Sequence, residues 1–390
     1  MTDKKDRVLI YTTVNPLSGH GGVETMILQE VKHLSSMGYR IVVLSPRPYG
    51  DVRVEKDPNV LLLHPPARRK KPWWLFRYAM FVLWFFRETS RLSREGRVIC
   101  VSFTVLDAAG PALAKLLGRD VKILLRVVGP FSFEVEHYFT PVQSNLHKFA
   151  GKLAKTVELF SYLMADSILP VSEFEERNVL GYKIRKDKIR LTRCGIDESV
   201  FRGQRDAKPL ALPRNAKVVM FVGRMVEKNG PLVVADAAQL VIPRTPDAVF
   251  VFVGDGVLKE TIENRLQKHI VEGRVIMTGT RSDIPQLHAQ AHVYAGHVSS
   301  KVEGLGQTVF EAMMSGLPVV SGRDHISERI IEDGVTGLLV PKDDPKSLAD
   351  AIVRLLADEK TREVVGRSAR QTALRTLSFG AMMEKLREEF

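Results

Sequence analysis

Two glutamates eight positions apart, Glu303 and Glu311, flank a turn of small residues that opens a predicted helix. Backbone amides at the start of a helix lack internal partners and carry partial positive charge, so they can hold an anion such as a diphosphate. Glycine in such a turn lets a ligand approach the backbone closely. The segment therefore predicts an anion-binding turn with a carboxylate on each side, and a solvated helix face is the alternative interpretation. The predicted donors are the amides of Gly304, Leu305, Gly306, Gln307 and Thr308.

A second candidate group lies in the loop after the predicted strand at 218–222, which contains Arg224 and Lys228. A guanidinium can bind two oxygens at once, and an ammonium supplies a point charge. Together they can neutralise a departing diphosphate, so this interpretation requires no metal ion. Surface charge in a loop is the alternative.

Glycine-rich turns follow several other predicted strands. Gly21 and Gly22 come after the first strand and open a helix, but they lack the G-x-G-x-x-G spacing of dinucleotide-binding folds, which argues against a plain NAD site. Gly254 and Thr280 end two strands in the second half of the chain. Each is a candidate ligand contact, with an ordinary turn as the alternative.

The composition is that of a globular protein. The chain has 390 residues, of which 45% are apolar and 26% charged, so its length favours two domains and disorder is excluded. A net charge of +12 favours anionic partners. Neither a zinc-ligand spacing nor a nucleic-acid-binding module is visible, so we expect no metal cofactor and no nucleic acid partner. Two cysteines and an N-terminus without an apolar signal region predict a cytoplasmic protein.

Short β-branched runs alternate with amphipathic helical stretches along the chain, which is the pattern of doubly wound parallel sheets. The predicted strands are Val8–Thr12, Arg40–Leu44, Val60–Leu63, Val98–Ser102, 121–128, 167–171, 189–192, 218–222, 249–254, 274–278, 293–296, 319–321 and Leu338–Val340. The charged, turn-rich segment 201–216 is the predicted linker. Two α/β units joined there would place a ligand cleft between facing strand ends.

The run from 301 to 322 resembles the Glu-x7-Glu motif of retaining, nucleotide-sugar-dependent glycosyltransferases of the GT-B fold, in the large family numbered 4. The flanking Gly-Leu-Gly and Ala-Met-Met-Ser-Gly-Leu-Pro-Val sequences make the resemblance specific. It implies that Glu303 binds hydroxyls of the donor sugar, that Glu311 binds the ribose, and that the turn amides hold the diphosphate. It also implies two Rossmann-like α/β domains facing across a cleft, at 1–203 and 204–375, and a C-terminal helix at 376–390 that crosses back to the first domain.

The same resemblance assigns the donor phosphates to Arg224 and Lys228. The lysine is shifted by one place, because Asn229 stands where a lysine more often precedes the glycine. Four further positions match donor contacts of the family: Gly21, Gly22, Gly254 and Thr280. The first two would line the cleft opposite the diphosphate, and the last two would lie near the base.

The chain departs from the family pattern after the strand at 121–128, where many members carry an active-site histidine. Glu134 and His137 are the candidates there for contacting the sugar or the acceptor. The resemblance otherwise implies a hexosyltransferase of polysaccharide, glycolipid or glycan biosynthesis, which moves a sugar from a nucleoside diphosphate to a hydroxyl without a covalent enzyme intermediate. Two alternatives stay open: a nucleotide-sugar epimerase of the same architecture, and a catalytically silent sugar-nucleotide-binding partner at a membrane.

An aromatic stretch at 73–86 lies among the arginines and lysines of 68–97. It is too short for a transmembrane helix, which needs about 20 apolar residues. One interpretation places it in the plane of an anionic membrane, on the inner face of the cell membrane, where a lipid-linked hydroxyl would be the acceptor. The other interpretation is a helix packed beneath the first sheet.

Overall fold

Short runs of β-branched and aromatic residues form two parallel sheets, each of six strands, and most of these strands are buried on both faces. The computed structural model describes residues 8–13, 22–45, 57–65, 74–128, 145–193, 195–201, 210–301 and 306–390. By their contacts the residues divide into two compact units, Met1–Cys194 with Met383–Phe390, and Gly195–Met382. Each unit contains one sheet.

The first unit has the strand order β3-β2-β1-β4-β5-β6, so the order reverses between β1 and β4. Its strands are β1 (Val8–Thr12), β2 (Arg40–Leu44), β3 (Val60–Leu63), β4 (Val98–Ser102), β5 (Val121–Val127) and β6 (Ser167–Pro170). The described helices that follow them are α1 (Gly22–Ser36), α2 (Trp74–Leu92), α3 (Val105–Leu116), α4 (Asn145–Met164) and α5 (Glu173–Gly181).

The second unit has the order β12-β11-β10-β7-β8-β9, which reverses between β7 and β10. Its strands are β7 (Lys217–Val222), β8 (Ala248–Val253), β9 (Val275–Gly279), β10 (Val293–Ala295), β11 (Val319–Gly322) and β12 (Leu338–Val340). Its helices are α6 (Pro231–Val241), α7 (Lys259–Val271), α8 (Ile284–His288), α9 (Gln307–Met314), α10 (Pro345–Ala357), α11 (Glu359–Thr376) and α12 (Phe379–Arg387), whose last residues belong to the first unit. Ligands of such sheets bind outside the carboxyl ends of the strands, where the order reverses.

The predicted fold class, two doubly wound α/β units, is confirmed. The strand predicted at 189–192 is wrong, because this segment forms only a bridge between Ile168 and Ile189 beside β6. Arg190 is exposed in its middle, so the segment lacks the apolar surface to extend the sheet. The predicted domain boundaries at 203 and 375 stay a prediction, since 202–209 lie outside the described residues.

Backbone pairing joins the two segments at which the chain enters and leaves the second unit. The Ile196 amide donates to the Leu377 carbonyl at 2.8 Å, and the Phe379 amide donates to the Ile196 carbonyl at 2.7 Å. A Cβ at Gly195 would lie 2.6 Å from the Cα of Phe379, so only glycine permits this approach. Helix α12 lies within the range 376–390 of the predicted C-terminal helix, and its Met382 is buried. The predicted crossing to the first domain stays a prediction.

The described part of the aromatic stretch packs into the first unit. Phe81 is 8% exposed and Phe85 is fully buried in the core beneath the sheet. Helix α2 crosses α3 closely, because a Cβ at Gly110 would lie 2.5 Å from the Cβ of Phe85 and 2.6 Å from the Val82 carbonyl oxygen. Among the helices that the structure describes, none is both long enough and apolar enough to cross a bilayer.

Substituting Gly110 with alanine therefore overpacks the contact between α2 and α3. We expect Gly110→Ala to lower the free energy of unfolding by about 1–3 kcal/mol, measured by urea denaturation. Gly181→Ala is the matched control, because nothing lies within 4 Å of the added methyl and alanine favours the helix. Equal stability of the two variants would show that the helices are not in close contact.

Candidate active site

Three loops meet at the carboxyl ends of β7, β8 and β9. A Cβ at Gly254 would lie 2.1 Å from the Gly223 carbonyl oxygen, and Gly254 has a φ of +131°, so only glycine fits. Its amide donates to the Gly279 carbonyl at 2.8 Å. The exposed Thr280 follows directly. The predicted base contact Gly254 therefore borders the loop of Arg224, and Thr280 follows the residue whose carbonyl Gly254 bonds.

The loop that carries the predicted cations is held by its own asparagine. The Asn229 side-chain amide donates to the Arg224 carbonyl at 2.7 Å. Gly230 follows with a left-handed φ of +71°, and a Cβ there would lie 3.0 Å from the Ser299 amide, so the loop packs against the segment after β10. Arg224 and Lys228 are exposed. Asn229 stands where a lysine more often precedes the glycine, and here it bonds the backbone. Lys228 is therefore the residue of this loop that offers an ammonium.

Helix α9 begins where the strand order reverses. Gly306 precedes its first turn, and among the described residues no side chain caps the amides there. The Thr308 hydroxyl lies 2.8 Å from that of Tyr294 on β10, which also donates to the Val222 carbonyl at the end of β7, at 3.3 Å. The predicted donors Gly306, Gln307 and Thr308 are thus anchored to β10 and β7 together.

Glu311 lies in the second turn of α9 and is mostly withdrawn from solvent. Burial raises the pKa of its carboxyl to about 7. Among the described residues, no side chain donates a hydrogen bond to this carboxylate. It can therefore accept hydrogen bonds from ligand hydroxyls, which would replace the lost water.

His297 was missed by the sequence analysis, since only its position at a strand end could have indicated it. Its φ of +55° is left-handed. A Cβ at Gly306 would lie 2.0 Å from its Nε2, so the start of α9 rests on the ring. Burial, assisted by the charges of Lys342 and Lys228, lowers the pKa of His297 to about 4. Lys342 pairs with Asp324 at 2.6 Å, and both are 11% exposed.

Of the remaining predicted residues, one lies in the first unit and the others lie outside the described residues. Gly22 is the first residue of α1 in the first unit. Outside the described residues lie Gly21, Glu134, His137, Glu303, Gly304 and Leu305. Within the described ranges, no group of three or more histidine, cysteine, aspartate or glutamate side chains could hold a metal ion.

Two doubly wound parallel sheets of this topology are typical of the two-domain GT-B fold. The crystal structure of HepE from Anabaena in complex with UDP has a TM-score of 0.70 at 19% identity and covers 98% of each chain. A glycosyltransferase from Rickettsia africae has a TM-score of 0.72 at 19% identity and covers 98% of this chain and 97% of its own. At these identities the likeness shows the fold.

The amino-acid sequence identifies the family. Residues 204–372 match the model described as glycosyl transferases group 1, and residues 20–200 match the model described as glycosyltransferase family 4. The chain belongs to this family of glycosyltransferases.

Individual relatives are more distant. UDP-Gal:alpha-D-GlcNAc-diphosphoundecaprenol alpha-1,3-galactosyltransferase of Escherichia coli is 26% identical over 289 residues, which are 72% of this chain and 71% of that protein. D-inositol 3-phosphate glycosyltransferase of Corynebacterium glutamicum is 30% identical over 235 residues, 56% of each. The lipopolysaccharide core biosynthesis glycosyltransferase LpsE of Rhizobium meliloti is 30% identical over 46% of this chain and 51% of that protein. The chain thus spans about half the length of the last two relatives.

The raised pKa of Glu311 predicts that this residue destabilises the free protein at alkaline pH. The folded state binds this proton more tightly than the unfolded state, so stability falls as the pH rises from about 4.5 through 7. We expect Glu311→Gln to raise the free energy of unfolding at pH 8 by up to about 3 kcal/mol and to change it little at pH 5.

Thermal melts of both proteins at the two pH values measure this difference. Glu363→Gln is the control, because the Glu363 side chain is 59% exposed and its neutralisation should leave the melting temperature nearly unchanged at either pH. If the stability difference between Glu311→Gln and the wild type were the same at pH 8 as at pH 5, the carboxyl would have an ordinary pKa.

Proposed function

We propose that this chain is a retaining glycosyltransferase that moves a hexose from a nucleoside diphosphate sugar to a hydroxyl acceptor. One observation carries the proposal: the start of α9 is fixed where the strand order reverses, and the Glu311 carboxylate in its second turn accepts no side-chain hydrogen bond from the described residues. The loop of Arg224 and Lys228 packs against the segment that precedes this helix. The amide donors at the start of α9, the carboxylate acceptor of Glu311 and the two cations lie around one edge of the sheet. Together they match the chemistry of a sugar nucleotide.

Each group has a role that follows from its charge. Arg224, Lys228 and the free amides before Val309 would stabilise the negative charge that develops on the departing diphosphate. Glu311 would accept hydrogen bonds from the ribose hydroxyls, and Glu303 would orient the donor sugar. The resemblance to the family supports retention by front-face attack, in which the leaving phosphate takes the proton of the acceptor hydroxyl and no enzyme nucleophile or metal ion takes part.

Relatives suggest which donors and acceptors to test first. The Escherichia coli relative is named for UDP-galactose as donor and a diphosphoundecaprenol-linked sugar as acceptor. HepE has been crystallised with UDP and with UDP-glucose. For this chain we propose a uridine nucleotide as the first donor and a lipid-linked hydroxyl as the first acceptor to be examined.

The donor site is tested by removing its proposed ligands. We expect Arg224→Ala to weaken binding of UDP-glucose at least about tenfold, because it deletes a charge-assisted contact to the diphosphate. We expect Glu303→Ala to abolish transfer. The measurements are a thermal-shift titration with UDP-glucose, GDP-mannose and ADP-glucose, and a transfer assay with the donor that binds.

The control is Lys268→Ala, whose side chain is 82% exposed at the end of α7 and should not affect either measurement. A double variant Arg224→Ala, Glu303→Ala with full activity would exclude this site. Conversion of the donor in the absence of any acceptor would indicate the epimerase, and binding without transfer to any acceptor would indicate the silent partner.

We also propose that the first unit contacts an anionic membrane surface through 68–97. In the described part of this segment, Leu83 is 62% exposed and Arg87 and Arg91 are exposed. Residues four apart lie on one face of a helix, so these three side chains form an outward stripe on α2, opposite the buried Phe81 and Phe85. An exposed leucine next to two cations is suited to acyl chains and headgroups.

The stripe predicts binding to anionic vesicles. We expect the full chain to float with liposomes that contain phosphatidylglycerol, and we expect Arg87→Glu, Arg91→Glu to bind at least about tenfold more weakly, since each cation near such a surface contributes about 1 kcal/mol. The matched control is Arg367→Glu, Arg375→Glu on α11, which should float like the wild type. Equal flotation of the two double variants would show that Arg87 and Arg91 do not contact the membrane.

A further inference from the structure

His297 lies where four strand-end segments converge in the second unit. It follows β10, and its carbonyl accepts a hydrogen bond from the Gly322 amide at the end of β11, at 3.2 Å. Its ring lies beneath Gly306, leaving no room for a Cβ. Lys228, after β7, and Lys342, after β12, are close enough to affect its protonation. Both cations and the start of α9 therefore surround one imidazole.

The ring is held neutral in the free protein. Burial removes the water that would solvate an imidazolium, and the two ammonium groups add repulsion. Asp324 bonds Lys342 at 2.6 Å and balances part of its charge. Among the described residues the buried Nδ1 of His297 has no hydrogen-bond partner. A neutral, incompletely bonded histidine beneath a proposed anion site is costly to stability, which indicates a function for it.

We propose that His297 is a positioning residue for the donor diphosphate: its neutral ring supports the first turn of α9, and it takes up a proton from solvent when the diphosphate binds. This inference rests on the proposed function, because it requires the diphosphate to bind at Gly306. No bond to the donor is formed or broken in this step.

The sign of the effect follows from the charges that face the ring. A diphosphate at the start of α9 would place negative charge near His297 and would neutralise Lys228 and Lys342. Both changes favour the imidazolium. Glu311, which titrates on the same helix, would respond in the opposite direction, because ribose hydroxyls favour its ionised form. The two proton changes must therefore be separated by comparing variants.

Calorimetric titration with UDP-glucose in two buffers of different ionisation enthalpy measures the protons exchanged on binding. UDP-glucose itself has no group that titrates near neutral pH. If the bound ring regains an ordinary pKa near 6.5, the wild type should take up about half a proton more than His297→Gln at pH 6.5. The contribution of Glu311 is common to both proteins. His269→Gln, in the last turn of α7, should behave like the wild type.

A second experiment tests whether the His297 ring supports the first turn of α9. Gly306→Ala places a methyl 2.0 Å from the present position of the His297 Nε2, so we expect binding of UDP-glucose to weaken at least about tenfold. Removing the ring makes room for this methyl, so His297→Ala, Gly306→Ala should bind as well as His297→Ala alone.

The outcomes are distinct from those that test the donor site. If neither UDP-glucose, GDP-mannose nor ADP-glucose binds the wild type, the proposed function fails and this inference fails with it. If a donor binds but its proton uptake is the same in His297→Gln, or if the effects of Gly306→Ala and His297→Ala simply add, the donor site stands and the role of His297 is refuted.

Discussion

The arrangement of the site depends on one buried hydroxyl. Tyr294 donates to the Val222 carbonyl and lies 2.8 Å from the Thr308 hydroxyl, so it joins β7, β10 and α9 at the point where the strand order reverses. Burial raises its pKa, which keeps the hydroxyl protonated and able to donate. This link helps to set the distance between the amides of α9 and the cations that follow β7.

The same site weakens the fold that carries it. Glu311 and His297 both lose water, and the described residues do not supply them with a full set of hydrogen-bond partners. Glycines occupy places where a side chain would collide. The cost is offset by a sheet whose central strands β7 and β8 are buried on both faces, between two apolar layers of helices. A rigid apolar sheet can hold loops in conformations that the loops themselves do not favour.

Local patterns were enough to predict the elements, while the site required tertiary structure. Apolar runs between turns predicted nearly every strand, since a buried parallel strand must be apolar on both faces. They failed at 189–192, where Arg190 faces solvent beside an otherwise complete sheet. Arg224 and Glu311 could be predicted as site residues because each belongs to a continuous motif. His297 could not, because its surroundings come from four separate strand ends and no local spacing records them.

In the first unit, a buried ion pair lies at the corresponding edge of the sheet. Arg126 on β5 lies 2.5 Å from Glu30 on α1, both are fully buried, and Tyr11 on β1 donates to the same carboxylate at 3.1 Å. Burial of such a pair contributes little net stability, but loss of one partner leaves a buried charge and costs about 3–5 kcal/mol. The pair therefore ties α1, which opens at Gly22, to the strand that precedes the predicted acceptor residues. In this unit a buried ion pair sets the geometry of the strand edge, whereas in the second unit Arg224 and Lys228 at the strand edge are exposed.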